Sequence, residues 1–500
     1  MSTKDVSHSL STSLPYTVFS RNRRCFFTYL LGYLTLASSL TATIYFPLID
    51  LLTSQYKAST QLVNLTITFY VIFQAISPAF WAPVSDTLGR RPVFLITFSI
   101  YACASLGLAL NKANYTALLL CRGLQSIGGS AVMSLAYAVV ADISPHSERG
   151  RILGPMLTST NLGPCVGPVI GGGAILASGD VMWCFWVLAI FGITSLLLIG
   201  WTLPETARTV VGNGAVHPQG IWRTWSSMLS EKFSKSKNHT TSDLTAPEEV
   251  ADINAGKTGK GKWTIPNPFI SLEIIFYWDT ILILWMAASP YTVWYCIQTS
   301  LPLIYGNTYG YNDLFVGLCF LPGGFGVILG GLIAGYLMDM DYKHTTRALG
   351  LEGNDQLVDR NQFPFEKARS RGSFTIISIS IPLLVGYGWA VQFHVHPSVP
   401  LILQALIGAK CTVVLQNFSA LLVDIFPERP GAAAAANNIT RCALSAAAVA
   451  ALQPLSKEIG RSWLFTLIAL VDGGGGLLAV WALRRWGSAW RDKRDSRCTR

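Results

Sequence analysis

The chain has 500 residues, 51% of them hydrophobic and only 13% charged, with a formal net charge of +10 and a mean hydropathy of +0.41. The charged share is about half that of an ordinary soluble protein, which excludes a solvated globular enzyme and points to an integral membrane protein. No soluble basic face stands out, so the positive charge is read as a topology signal against anionic lipid, with no nucleic-acid partner.

Apolar runs long enough to cross a bilayer of roughly 30 Å recur along the whole chain. They fall at 26–49, 61–83, 92–111, 115–141, 151–177, 181–203, 278–304, 311–338, 373–393, 398–423, 431–454 and 461–483. Polar and small residues interrupt 278–304 and 431–454 most. The expected fold is all-α: twelve transmembrane helices in two six-helix bundles, 26–203 and 278–485. These are framed by a tail at 1–25, a linker at 204–277 and a basic tail at 486–500.

Arg21, Arg23 and Arg24 precede the first run, and Arg484, Arg485, Arg491, Lys493, Arg494, Arg497 and Arg500 follow the last. The remaining cations crowd alternate loops, at Arg90–Arg91, Arg149 and Arg151, Lys232 to Lys262 and Lys343 to Arg371. The opposite loops hold Lys57, Lys112, Lys457 and Arg461. Positive charge stays inside, so both termini, the linker and the basic tail are expected in the cytoplasm. No cleavable leader is read in the first run. The linker, with SEKFSKSKNHTTSD and NAGKTGKGK, is rich in Ser, Lys, Gly and Thr, the composition of a largely disordered tether.

The ten cysteines show neither a disulfide framework nor metal-ligand spacing, and His394 and His396 are expected to be solvated. The linker lacks the GxxxxGK[ST] frame of a nucleotide site and no hydrolytic constellation appears, so neither enzyme chemistry nor a cofactor is expected. Asn114-Tyr-Thr116 is a sequon too near the bilayer to carry a glycan. APVSDTLGRR after the second run is echoed by GYLMDMDYKH after the eighth, which places Asp86 and Asp339 alike and suggests duplicated halves.

Four stretches carry a family resemblance: APVSDTLGRRP (82–92), LLLCRGLQSIGGS (118–130), GPCVGPVIGG (163–172) and PETAR (204–208). In the second half PFEKARSR (364–371), PLILQALIG (400–408) and DIFPERPGAAAAANNITRC (424–442) join them. The chain resembles the major facilitator superfamily, and more narrowly the twelve-span drug:proton antiporters of fungi that export quinidine and polyamines. The resemblance covers about Leu30 to Trp486. It implies alternating access driven by a proton gradient, a small-molecule substrate, a monomer and a plasma-membrane location. A vacuolar or vesicular membrane would require only a sorting signal.

At Asp86 a helix ends, Gly89 permits a sharp turn, and Arg90 and Arg91 offer cations to a neighbouring helix terminus and to Asp142. The resemblance makes this loop a conformational latch, although Ala82 and Thr87 stand where the family has a glycine and a cation. Arg122 is a guanidinium within a span, expensive unless it serves a partner or a wet cavity; by resemblance it takes part in proton coupling. Gly163, Gly167, Pro168, Gly171 and Gly172 match the family's fifth-span antiporter signature. Small residues at three- and four-residue steps let a facing helix approach closely, and prolines bend the helix.

Lys410 lies mid-span and is read as a cavity group for a carboxylated or phenolic substrate, as one member of a structural ion pair, or as a snorkelling side chain. Arg441 and Asp472 are further intramembrane ions, candidates for charge pairing or proton transfer. Asp50 and Asp313 are expected in loop water. Tyr45, Asn161, Gln298, Tyr305, Gln404, Gln416 and Asn417 are the polar and aromatic groups able to line a cavity. The expected function is proton-coupled efflux of drugs, toxins or secondary metabolites. Proton symport of a nutrient or organic acid, and dedicated organic-anion export, remain open, and the short tail argues against a receptor.

Overall fold

The computed structural model describes residues 17–144, 149–214, 218, 220–237, 273–348, 365–426 and 430–498. Twelve long helices organise them. The first half holds α1 (Arg21–Thr43), α2 (Thr60–Leu88), α3 (Arg90–Leu110), α4 (Tyr115–Ser130 continued by Val132–Ile143), α5 (Arg149–Ser178) and α6 (Met182–Thr202). The second holds α7 (Trp278–Asn307), α8 (Asp313–Leu318 continued by Phe320–Ala348), α9 (Ser373–Gln392), α10 (Ser398–Ile425), α11 (Pro430–Ile459) and α12. That last helix runs from Arg461–Ala469 through a π-helical turn, Leu470–Gly474, into Gly475–Cys498.

Eleven of these are long and apolar enough to cross a membrane. The exception, α11, spans 30 residues but is built of alanine with Asn437, Asn438, Thr440 and Arg441. This is one of the two runs that polar and small residues interrupt in the sequence.

Helix starts are set locally. Ser59, Asn114 and Asn312 accept hydrogen bonds from the backbone N–H groups of Leu62, Ala117 and Phe315, satisfying donors a helix start leaves over. Hydroxyls inside the helices turn back to their own backbone, as Thr41 does to Ala37 O at 2.5 Å and Thr412 to Gly408 O at 2.9 Å. Where no water can serve them, this is how they are satisfied.

The two halves pack alike. α1 lies on α5, α2 on α4, and α3 on α4 and α6; correspondingly α7 lies on α11, α8 on α10, and α9 on α10 and α12. Between the halves two seams dominate, α2 against α11 and α5 against α8. At the end opposite the chain termini, Phe46 stacks on Phe320 at 6.1 Å and meets Tyr295 at 6.2 Å, so the turn after α1 packs directly on the second half.

The linker departs from expectation in its first half. Residues 204–214 and 220–237 contain helices at Arg208–Val211 and Trp225–Lys237, and Trp222 Nε1 donates to Leu88 O at 2.8 Å. The ring of Trp225 lies on Gly200. Aromatic residues inside a polar stretch anchor it to the bundle; residues 238–272 lie outside the described residues. The segment read as a basic tail continues α12, where Arg491 meets Glu366 at 3.2 Å and Arg494 meets Asp279 at 2.5 Å.

Candidate functional site

At the terminus-bearing end, Gly89 has φ +98°, and a side-chain carbon there would sit 2.5 Å from Glu205 Oε2. The turn therefore favours glycine on both conformational and steric grounds. Arg90 Nε reaches Asp142 Oδ2 at 3.0 Å, and its guanidinium also pairs with Asp86 at 2.5 Å. Arg91 serves the neighbouring helix terminus, its Nη2 donating to Gly200 O in the last turn of α6 at 2.7 Å.

The acid that serves both arginines' backbones is Glu205 of PETAR. Its carboxylate accepts from the N–H groups of Arg90 (2.8 Å), Arg91 (3.2 Å), Thr206 (2.9 Å) and Ala207 (2.8 Å). It thus binds the positive end of α3. The second half repeats the theme with Arg369 on Asp424 at 3.0 Å. The Asp339 side chain lies outside the described residues.

The fifth-span motif presents two faces. Side-chain carbons at Gly163, Gly167 and Gly171 would strike α1 at Ser39, Thr43 and Ile44, so this four-residue stripe seats a helix of the same half. Gly172 faces the backbone of Asp313 across the seam. From the other side, Gly317 approaches Pro168 O and Gly324 approaches Cys165. The backbone of Asp313 is therefore part of the contact between the halves, while its side chain stays partly exposed.

Near mid-height the halves share a polar core. Arg122 of α4 is fully buried, its guanidinium 4.2 Å from the Tyr45 ring centroid and 4.7 Å from that of Tyr70. Its Nη1 donates to Gln125 Oε1 at 2.8 Å, while Nε and Nη2 have no acceptor. Arg441 of α11 lies 4.3 Å from the Tyr291 ring, its Nη2 donating to Asn438 Oδ1 at 2.8 Å and its Nε lacking an acceptor. Neither arginine has a carboxylate partner among the described residues.

Tyr295 joins the two, its ring 4.8 Å from that of Tyr291 and within electrostatic reach of Arg122. Asn438 ties this core to α2, donating to Gln74 O at 3.0 Å. Gln298 and Gln404 are buried with both amide atoms unsatisfied, and Asn417 keeps a free Oδ1. Asn161 and Gln416 converge beside Gly331, where α5, α8 and α10 meet. Tyr305 stacks with Tyr309 at 5.4 Å, near the opposite end. There a cavity of about 370 Å³ opens between the halves, lined by Asn64, Thr299, Asn307, Gln453, Lys457 and Arg461.

Lys410 and Asp472 belong elsewhere. Lys410 Nζ lies 2.5 Å from Asp472 Oδ2, inside the second half, so of its three sequence readings the structure takes the ion pair. Among the described residues no group of three or more His, Cys, Asp or Glu side chains could hold a metal, and the nine cysteines whose side chains are described are free.

Sequence reasoning missed Glu205, Gln125, Tyr70, Tyr291 and Tyr295. The tyrosines were legible as polar interruptions of otherwise apolar spans, but nothing in sequence spacing says that they face an arginine from another helix.

Two matched six-helix halves, closed along two seams over a polar core, are the architecture of membrane transporters built from parallel repeats. The family model of the Major Facilitator Superfamily matches residues 31–450, and the chain belongs to that family. Its members are transporters and not enzymes.

Citrate exporter 1 of Aspergillus niger is 34% identical over 97% of this chain and 90% of its own. The MFS-type transporter tstD of Talaromyces stipitatus is 30% identical over 96% of this chain and 85% of its own. In fold, the E. coli xylose transporter XylE in a partially occluded inward-open state superposes with a TM-score of 0.60 at 13% identity, over 93% of this chain and 98% of its own.

Proposed function

We propose that this protein exports small organic anions, carboxylates foremost, in exchange for protons. The observation that carries the reading is the pair Arg122 and Arg441, one from each half, each in an aromatic wall with guanidinium N–H groups unclaimed and no acid beside it among the described residues. A buried cation without a counter-ion is costly, and a guanidinium fork suits a carboxylate bidentately. An anion between the halves would supply the acceptors that both arginines lack.

The citrate exporter's similarity over nearly the whole chain supports the same substrate class. The fifth-span signature supports proton exchange, and the gradient supplies roughly 2.3 kcal/mol per charge moved across 100 mV. In this reading the protein is a monomer of the plasma membrane with both termini cytoplasmic, and the terminus-bearing loops at Arg90 and Arg369 latch one state.

Efflux from cells overexpressing the chain tests this, using labelled organic acids, cationic drugs and polyamines with and without a protonophore. Acid efflux that rises with expression and collapses with the gradient is expected. Gradient-dependent efflux of cations alone returns the protein to drug export, and a rise in accumulation makes it a symporter.

A further inference from the structure

The ion pair of Lys410 and Asp472 sits apart from the arginine core, where the second half's own helices converge. Their side chains are 5% and 4% exposed. Asp472 Oδ2 accepts from Lys410 Nζ at 2.5 Å and Ser380 Oγ at 3.4 Å, and Oδ1 accepts from Ser289 Oγ at 2.9 Å. Four helices thus meet at one carboxylate: α7, α9, α10 and α12. The titratable groups facing it are Lys410 and the adjacent Cys411, both on α10; α7 and α9 bring only hydroxyls.

The fold does not require this charge. Lys410 stands as far before Asp424 in α10 as Gly128 stands before Asp142 in α4, and the two aspartates are matched by their arginine partners. Around Gly128 the first half holds no ion pair among the described residues, the nearest charge being Arg122, whose Nη1 reaches Thr41 O at 3.4 Å. Tyr101 fills the space, flanked by Gly128 and Gly192, and its hydroxyl meets that of Thr41 at 2.7 Å. One half therefore packs a hydrogen-bonded ring where the other keeps a buried ion pair. Removing two charges from water is expensive, and apolar packing of the same volume often serves stability as well or better.

The local backbone is also unusual. Asp472 lies in the π-helical turn Leu470–Gly474, followed directly by Gly475 and Gly476. Such bulges recur at functional sites, and a run of glycines lets a helix re-wind at little steric cost.

From these observations we infer that Asp472 is the proton-binding site of the transport cycle and Lys410 the counter-ion it releases. A proton added to the carboxylate gives a neutral carboxyl; the Asp472–Lys410 pair opens, and Lys410 remains an ammonium. Ser289 and Ser380 suit both states, because a hydroxyl donates to a carboxylate and accepts from a carboxyl O–H. Opening the pair loosens α10 from α12 at the glycine run, which links proton uptake to movement of the half carrying Arg441. This inference rests on the proton-exchange reading above.

The test uses the full chain in proteoliposomes with citrate as probe and two readouts: citrate exchange at equal pH, and accumulation driven by an imposed pH gradient. The double variant Asp472→Asn/Lys410→Gln is expected to keep exchange within about threefold of the parent. Its gradient-driven accumulation should fall at least tenfold and its pH dependence flatten. Retention of gradient-driven accumulation with the parent's pH profile overturns the inference and leaves the pair a structural support. If the double variant does not reach the membrane, Asp472→Glu decides: a moved pH midpoint supports the site and an unmoved one contradicts it. Absence of citrate exchange by the parent chain overturns the organic-anion reading, whereas citrate exchange that no pH gradient drives in the parent overturns the proton-exchange reading and this inference with it.

Discussion

Arg122 holds its place through two aromatic faces and one glutamine, an arrangement that fits a planar guanidinium better than a compact ammonium. Arg122→Lys keeps the charge and loses the fork. We expect organic-acid efflux to fall at least tenfold, a loss of about 1.4 kcal/mol of substrate interaction. Thermal stability in detergent should change little, because cation–π contact survives the exchange. Efflux at the parent's rate would show that only charge matters there. At this scale the sequence was most informative where a charge broke an apolar run. Arg122, Lys410, Arg441 and Asp472 were all visible, because each is costly in lipid. Their partners were not, since pairing Lys410 with Asp472 requires knowing that α10 and α12 touch.

Among the elements, α5 shows how a motif can be recognised while its partners stay hidden. The glycine spacing predicted close approach, and close approach is found, but Gly163, Gly167 and Gly171 serve α1 within the half and only Gly172 serves the seam. A side-chain carbon on Gly171 would lie 2.6 Å from Ile44 O, on backbone that cannot step aside. Gly171→Val should therefore part α1 from α5 at a cost of about 1–3 kcal/mol. Transport should drop at least tenfold while the protein remains in the membrane, measured by efflux against surface abundance. Helix starts were read from hydropathy to within about five residues, whereas α8 and α12 run well past their expected ends, to Ala348 and Cys498. The helix at Trp225–Lys237 was missed, because its polar composition masks two tryptophans that anchor the segment to the bundle.

For the whole molecule, duplication is written more plainly in packing than in sequence. The Asp86 and Asp339 echo was faint, whereas the arginine–aspartate pairs at Asp142 and Asp424 and the matched helix contacts are unmistakable. Alternation requires the α2–α11 seam to open at the end away from the termini, where Asn64 Nδ2 donates to Gln453 Oε1 at 3.2 Å. Cross-linking Asn64→Cys with Gln453→Cys should arrest transport, with reductant restoring it; undiminished transport by the cross-linked protein would rule out movement at that seam.

The most direct test of anion–proton exchange at the arginine pair is labelled-citrate flux into proteoliposomes under an imposed pH gradient, comparing the parent chain with Arg122→Gln and Arg441→Gln. The account predicts flux that follows the gradient's direction in the parent and falls at least tenfold in each variant. Gradient-driven flux that survives loss of both arginines, or its absence from the parent, would contradict it.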